Sequence, residues 1–179
     1  MNLRILIFLL FSSICNAQFS EYYLELTKPL KPVDTTDYVE EYKNGNIKTK
    51  GKYLVYNSKQ FSTELAFGEF ITYYKNGNIM EKTFYDSFGY EIKYKLYDGV
   101  GELLYERETI LLDTSAKNIN EFLFDKKHIV FTDYVKDYNY SMKLCKQYLQ
   151  KEGKLYNGKK IGTWKIYNPD GTLKKEKVY

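Results

Sequence analysis

The sequence offers few side chains for catalysis, with one histidine, His128, and two cysteines, Cys15 and Cys145. A metal site or a proton-transfer pair built on histidine needs partners that this composition lacks. The cysteines do not have zinc-site spacing, no glycine-rich phosphate loop is present, and no carboxylate pair stands out. We therefore predict that the protein is not an enzyme and uses no metal or cofactor. We expect His128 to be a hydrogen-bonded structural residue in a strand.

The first 17 residues have the pattern of a secretory signal peptide. Arg4 supplies a positive n-region, an apolar run covers residues 5–11, and small residues precede a cleavage site before Gln18. The apolar run is too short for a permanent membrane anchor. We therefore expect export to the periplasm or to the extracellular space.

Cys15 falls inside this segment, which bears on lipidation and on disulfide bonding. Ile14 argues against the alternative of a lipoprotein acylated at Cys15, because that processing usually needs a small residue before the cysteine. Once Cys15 is removed, Cys145 has no intramolecular disulfide partner. We expect Cys145 to be buried as a small apolar residue beside Leu144.

The charge pattern is not that of a nucleic-acid binder. The formal net charge of +4 falls to about +3 without Arg4, and basic and acidic residues are interleaved, as in the runs 81–82 and 174–177. Nucleic-acid binders concentrate their basic residues on one stripe or face. The pattern therefore predicts a mixed, solvated surface.

Aromatic residues and recurring glycine turns indicate β-structure. The chain has 20 tyrosines and 11 phenylalanines, and such residues favour half-buried pleated surfaces. The segment Tyr-Lys-Asn-Gly-Asn-Ile at 42–47 recurs at 74–79, and short aromatic runs flank it. Asn-Gly and Asp-Gly accept positive φ and favour tight hairpin turns. Each such unit is therefore predicted to be a β-hairpin.

Four copies of the unit align on the turn glycines Gly45, Gly77, Gly101 and Gly171. Two residues after each glycine lie Ile47, Ile79, Leu103 and Leu173. Seven residues before lie Tyr38, Phe70, Tyr94 and Trp164, and four residues before lie Glu41, Tyr73, Tyr97 and Tyr167. A single hairpin cannot bury its aromatic face in water, so neighbouring hairpins must stack into one elongated sheet.

The pattern Gly-x-Trp-x-x-Tyr-turn-Gly-x-Leu resembles the MORN repeat in its bacterial variant form. The resemblance covers residues 38–109 and 153–179. The residues that match best are Gly162, Trp164, Tyr167, Gly171 and Leu173, followed by Gly68, Phe70, Tyr73, Gly77 and Ile79. Thr36 and Ile92 replace the leading glycine in the first and third copies. The resemblance implies stacked hairpins and a binding or scaffolding role, and it transfers no functional residue.

These observations predict an all-β protein in five parts. A signal peptide (1–17) and an N-terminal segment (18–37) precede MORN-like repeats (38–109), a divergent insertion (110–152) and a last repeat (153–179). In the insertion, residues 121–124 and 128–132 alternate like a hairpin. Residues 138–150 fit strand or helix spacing, and the flanking tyrosines favour strand. The run 57–59 is predicted to be a turn.

The candidate binding residues are the equivalent tyrosines Tyr73, Tyr97 and Tyr167. They lie three residues from the column that includes Phe70 and Trp164, so an unbroken strand directs the two columns to opposite faces. One column should pack inside, and the tyrosine column is the candidate aromatic surface for a partner. The alternative is that both columns are structural cross-strand pairs.

We expect an exported, non-catalytic scaffold that binds another protein, through the sheet face or through residues 110–152. Two alternatives remain open: a periplasmic inhibitor or antitoxin-like immunity protein, and a module that binds a phospholipid membrane surface. Unpaired edge strands also predict self-association.

Overall fold

The structure is a computed structural model that describes residues 18–58 and 61–179. Strands β2 to β11 form one open sheet in which each strand pairs antiparallel with the next one along the chain. The strands are β1 Gln18–Phe19, β2 Asp34–Glu41, β3 Ile47–Asn57, β4 Ser62–Tyr73, β5 Ile79–Tyr85, β6 Glu91–Tyr97, β7 Leu103–Thr114, β8 Ile129–Ser141, β9 Lys146–Tyr156, β10 Lys159–Tyr167 and β11 Leu173–Val178. The all-β, antiparallel prediction is confirmed. The predicted signal peptide lies outside the described residues.

Five of the hairpin turns share one hydrogen-bond pattern. In the turn between β2 and β3, Tyr42 N donates to Asn46 O at 2.8 Å and Gly45 N donates to Tyr42 O at 2.9 Å. The same two bonds close the turns at Gly77, Gly89, Gly101 and Gly171, and all five glycines have positive φ. The predicted turns at four of these glycines are confirmed, and Gly89 adds a fifth that sequence alignment missed. Phe88 precedes Gly89, where Asn or Asp precedes Gly45, Gly77 and Gly171.

Two further glycines with positive φ, Gly68 and Gly162, create matching bulges. Three residues, 68–70, lie opposite the single residue Gly51, and residues 162–164 lie opposite Gly153. The extra residues bend the strand so that the rings of Phe70 and Trp164 lie directly over Gly51 and Gly153.

The two faces of the sheet carry different kinds of side chain. The aromatic face carries Tyr38, Tyr53, Phe70 and Tyr85 in a row of ring contacts with centroids 5.3 to 6.1 Å apart. The charged face carries ion pairs between neighbouring strands: Lys93 with Glu108, Lys95 with Glu106, and Glu106 with Lys136. Alternation along each strand separates the two sets.

The main core fills a notch in the sheet. The turn between β5 and β6 is flanked by two longer hairpins, β3–β4 and β7–β8, which extend beyond it. The end of β7 extends past β6, and there β1 pairs in parallel with Leu111 and Leu112. Helices α1 (Glu21–Thr27) and α2 (Ile119–Phe124) complete the notch. The buried cluster is Tyr23, Tyr90, Leu112, Ala116, Phe122 and Ile129.

Both helices begin at a capping side chain. Ser20 accepts from Tyr23 N at 3.1 Å, and Asn118 accepts from Glu121 N at 3.0 Å. The Glu121 carboxylate in turn accepts from Lys117 N. These caps satisfy backbone donors that a helix start leaves open. Neither helix in the described ranges is long and apolar enough to cross a bilayer.

The hairpin predicted for residues 121–124 and 128–132 is therefore wrong. The first run is α2, and a 3-10 helix at Lys126–His128 leads into β8. His128 lies before the strand rather than in it, with Nδ1 3.2 Å from Ser115 Oγ. Its hydrogen-bonded role is confirmed.

Residues 138–150 form the end of β8 and the start of β9, joined by a turn at 142–145. The strand prediction is confirmed for the residues on either side of that turn. The predicted burial of Cys145 is wrong, because the turn holds it exposed at a φ of 47°. Of the predicted turn at 57–59, Asn57 is instead the last residue of β3, Ser58 N donates to Phe61 O at 2.9 Å, and Lys59 lies outside the described residues. The neighbouring residues 62–67 belong to β4.

Asp86 is a buried carboxylate at the base of the notch. It accepts hydrogen bonds from Phe88 N, Tyr90 N and the Tyr23 hydroxyl. Burial raises the pKa of Asp86, and these hydrogen bonds offset part of the rise. Burial and the Asp86 charge also hold the pKa of Tyr23 far above its ordinary value.

Replacement of Tyr23 by phenylalanine is expected to lower the free energy of unfolding by about 2 kcal/mol near neutral pH, because a buried carboxylate loses a donor. In the folded variant the pKa of Asp86 rises further above its value in the unfolded chain. The variant therefore loses more stability than the parent as the pH increases above the ordinary aspartate pKa. The deficit relative to the parent should therefore shrink near pH 4. Urea denaturation of variant and parent, near neutral pH and near pH 4, measures this difference in the free energy of unfolding. Tyr22→Phe, which removes only a bond to Ala116 O, should show no such pH dependence. An equal deficit at both pH values would contradict the role given to Asp86.

Candidate functional site

The predicted tyrosines Tyr73, Tyr97 and Tyr167 occupy equivalent positions, each at the end of a strand before a turn. They end β4, β6 and β10, and all three are half-buried. One strand separates Tyr73 from Tyr97. Three strands separate Tyr97 from Tyr167, a distance of about 19 Å at the usual strand spacing. The structure thus brings two of them near each other and leaves the third apart.

Contacts around these tyrosines tie neighbouring hairpins together. The Tyr42 hydroxyl donates to Tyr73 O at 2.6 Å, and the Tyr74 hydroxyl donates to Tyr97 O at 2.8 Å. The Tyr167 hydroxyl donates to Glu152 at 2.5 Å, and this bond raises the pKa of Tyr167 to about 12. The Lys50 amine lies 5.6 Å from the centroid of the Tyr73 ring. Two of these positions therefore have clear cross-strand roles through their backbone carbonyls.

A groove with a volume of about 420 Å³ opens on the aromatic face beside the core. It runs from the turn between β5 and β6 to the turn between β9 and β10. Its walls combine sheet residues with residues from segment 110–152. The lining is Tyr85, Gly89, Tyr90, Glu91, Arg107, Lys126, Ile129, Phe131, Asp133, Leu155, Asn157 and Gly158.

The groove floor is an ordered polar network. Arg107 forms an ion pair with Glu91, and the Thr109 hydroxyl donates to Asp133 at 2.8 Å and lies 3.2 Å from Glu91 O. Burial raises the pKa of Asp133, with the Thr109 hydrogen bond and Arg107 opposing the rise. The Arg107 guanidinium also lies 5.8 Å from the Tyr94 ring centroid. Charge and hydrogen-bonding groups are therefore fixed in place before any partner arrives.

The groove rim mixes apolar surface with an exposed lysine, Lys126. Phe131 and Leu155 are half-buried. Asn157 fixes the far wall, because its side chain accepts from Phe131 N at 2.8 Å while its own N–H donates to Phe131 O at 2.9 Å. Burial raises the pKa of Tyr85 and of Tyr90, and the Tyr90 hydroxyl donates to Phe122 O.

Sequence reasoning missed this groove. Its residues come from five strands, two turns and the 3-10 helix, so no short motif contains them. One signal was available: Arg107 is the single arginine after Arg4 in a lysine-rich chain. Arginine is suited to fixed, bidentate and ring-stacked contacts in a way that lysine is not.

The described residues contain no cluster of three or more histidine, cysteine, aspartate or glutamate side chains that could hold a metal ion. The ring of His128 faces Asp125 at 3.6 Å and Glu121 at 3.9 Å, and Cys145 lies in a separate turn. The groove presents recognition groups, namely aromatic walls, one cation and paired charges. Such convergent polar groups in a concave apolar site are typical of binding pockets.

No protein-family model matches the chain, and no curated protein matches it. A crystal structure at 1.90 Å of a protein with unknown function from Bacteroides fragilis is similar over 82% of this chain and 92% of that chain, at 8% identity. The TM-score is 0.20, which is too low for an argument about function. The resemblance to the MORN repeat therefore stays a prediction.

Proposed function

We propose that this chain is an exported, non-catalytic, MORN-like scaffold that holds a segment of another protein in the groove on its aromatic face. The observation that carries the proposal is the groove itself, with its fixed network of Arg107, Glu91 and Asp133 under half-buried aromatic walls. Preorganised groups of this kind lower the cost of ordering on binding.

The groove chemistry suits a protein segment with an apolar anchor and a carboxylate. Phe131 and Leu155 supply apolar contact surface, and the Lys126 amine offers a cation at the rim. Tyr85 adds half-buried aromatic area, and aromatic residues are enriched at protein interfaces. Residues of segment 110–152 and of the sheet meet in this groove, so the two expected locations of the interface coincide.

Affinity capture from envelope extract tests the proposal, with chemical crosslinking and mass spectrometry as the readout. The variant Lys126→Glu, Leu155→Gln should reduce the captured partner at least tenfold, because it reverses the rim cation and removes apolar contact. The matched control, Lys127→Glu, Met142→Gln, changes exposed residues outside the groove lining and should retain the partner. Far-UV circular dichroism and thermal melting verify that both variants fold.

A third variant separates the groove from the predicted tyrosine surface. Tyr73→Ala, Tyr97→Ala alters the charged side of the sheet and leaves the groove lining intact. If this variant loses the partner while the groove variant retains it, the proposed site is wrong and the tyrosine column is the interface. Loss of a captured enzyme's activity on binding would identify the protein as an inhibitor.

A further inference from the structure

The sheet ends in two edge strands of opposite charge. β2 carries Asp34, Asp37, Glu40 and Glu41 and no basic residue. β11 carries Lys174, Lys175 and Lys177 against Glu176. Among the described residues, β2 pairs only with β3 and β11 pairs only with β10. Each edge therefore presents outward backbone donors and acceptors beside strand side chains of one predominant sign, and on β2 the carboxylates of Glu40 and Asp37 also pair with Lys48 and Lys52 of β3.

We propose that the protein assembles head to tail, with β11 of one copy pairing antiparallel to β2 of the next copy. The assembly would continue the sheet and is independent of the groove proposed above as a binding site.

The strand count makes such a contact geometrically simple. The ten strands from β2 to β11 alternate in direction, so β2 and β11 run in opposite directions. A second copy displaced along the sheet, without being turned over, therefore brings its β2 antiparallel to β11. The contact joins two different surfaces, and a contact of this type generates an open chain of copies when its rotation does not close a ring.

Edge charges ordinarily prevent strands from pairing, and lysine is the usual choice. That protection works between two identical edges, since β11 beside β11 places lysines against lysines and β2 beside β2 places carboxylates together. Between β11 and β2 the signs are opposite, and the contact is favoured. Ion pairs of this kind already join neighbouring strands within the sheet, where Lys93 pairs with Glu108 at 2.9 Å and Lys136 pairs with Glu106 at 2.7 Å.

The pairing inside the sheet also fixes the register of the contact. One row of directly paired residues crosses all ten strands, from Glu40 on β2 to Lys175 on β11. Continuing that row into the next copy places Lys175 opposite Glu40. One residue further along, Glu176 meets Val39, and two residues further along, Lys177 on the aromatic face meets Tyr38. The contact thus combines an ion pair, a lysine over a tyrosine ring and no opposed like charges.

Exposure at the two edges agrees with this register. Every residue of β11 is exposed, and Val39 on β2 is 57% exposed. Lys177 already lies over an aromatic ring, with its amine 4.6 Å from the Tyr179 centroid. The contact would cover these groups and would extend the aromatic row that ends at Tyr38.

Sedimentation velocity of the purified protein at low and high salt tests the proposal. At low ionic strength the sedimentation coefficient should rise continuously with protein concentration, and about 1 M NaCl should return the protein to monomer because screening shortens the reach of the charges to about 3 Å. A monomer at every concentration and salt, or a dimer that grows no further, would overturn the proposal.

Charge exchange between the edges provides the decisive control. Lys174→Glu, Lys175→Glu should reduce association at least tenfold, and so should Glu40→Lys, Glu41→Lys. A variant with all four changes restores complementarity and should assemble again. The control Lys75→Glu, Lys117→Glu changes the net charge by the same amount as Lys174→Glu, Lys175→Glu, at positions outside both edge strands. It should assemble like the parent. Assembly that survives either single-edge reversal, or that fails to return in the combined variant while circular dichroism shows a folded sheet, would overturn the proposal.

Disulfide crosslinking tests the register directly, in a Cys145→Ser background. A mixture of Glu40→Cys and Lys175→Cys chains should form a mixed dimer on mild oxidation, since directly paired antiparallel residues have Cα separations within disulfide range. Either chain alone should crosslink far less. Binding of the monomer to anionic vesicles, with no mixed dimer formed, would assign the lysines of β11 to a lipid surface and overturn the assembly.

Discussion

Replacement of Phe122 by alanine is expected to lower the free energy of unfolding by about 4 kcal/mol. Phe122 is fully buried and is the one buried side chain of α2. Its ring contacts Tyr23, Phe88 and Tyr90 with centroids 5.2 to 5.5 Å away. A cavity there would separate α2 from α1 and from the turn between β5 and β6. The thermal midpoint should fall by roughly 10 °C for a chain of this length.

Phe124→Ala is the matched control on the same helix. Phe124 is 57% exposed, and its ring contacts Phe61 at 5.8 Å. The same truncation there should change the free energy of unfolding by less than about 1 kcal/mol, as for a surface site. Urea denaturation of the two variants measures the difference. Similar losses at the two positions would show that α2 does not anchor the core through Phe122.

This pair of phenylalanines also shows why the sequence prediction failed in this region. Residues 121–124 read as Glu-Phe-Leu-Phe, an alternation that fits a strand as well as one helical turn. The deciding information lies outside the run, in the cap formed by Asn118 and in the pocket that Tyr23 and Tyr90 provide for Phe122. Tyr23 and Tyr90 are distant in sequence, whereas the Asn118 cap, three residues before Glu121, is a local helix signal that the strand prediction overlooked.

The hairpin turns were predictable because their cause is local. Asn-Gly or Asp-Gly sets the backbone at Gly45, Gly77 and Gly171, and the flanking aromatic residues set the strand period. Gly89 was missed because Phe88 precedes it, where an apolar ring packs into the core and overrides turn preference. The groove was beyond such reasoning, since Arg107, Asp133 and Asn157 meet only after β7, β8 and β9 pair.

Gly51 and Gly153 lie on the strands that precede the leading glycines Gly68 and Gly162, and the bulges explain why glycine is needed there. Each lies opposite three residues of the next strand. The third of those residues, Phe70 or Trp164, places its ring over the glycine. A side chain at either position would occupy the space of that ring. The sequence pattern of glycine followed, a strand later, by Phe or Trp is therefore a packing requirement of the hairpin pair.

Gly153→Ala should accordingly destabilise the last three strands. An alanine Cβ would lie 2.4 Å from Trp164 Cδ2, so the indole must move. Trp164 is buried and donates its Nε1 hydrogen to Lys154 O at 3.1 Å, which leaves little room for adjustment. Overpacking of this kind costs about 2–3 kcal/mol. Denaturant unfolding followed by the fluorescence of Trp164, the single tryptophan, measures the change where it occurs.

Gly99→Ala is the control for the effect of removing a glycine. A Cβ at Gly99 meets nothing within 4 Å, and its φ is not in the left-handed region. The free energy of unfolding should stay constant or rise by up to about 1 kcal/mol, because alanine restricts the unfolded chain. Gly51→Ala, whose Cβ would lie 2.5 Å from the Phe70 ring, should behave like Gly153→Ala. If both strand glycines tolerate alanine as well as Gly99 does, then the rings do not rest on the glycines, and the explanation of the bulges at Gly68 and Gly162 fails with it.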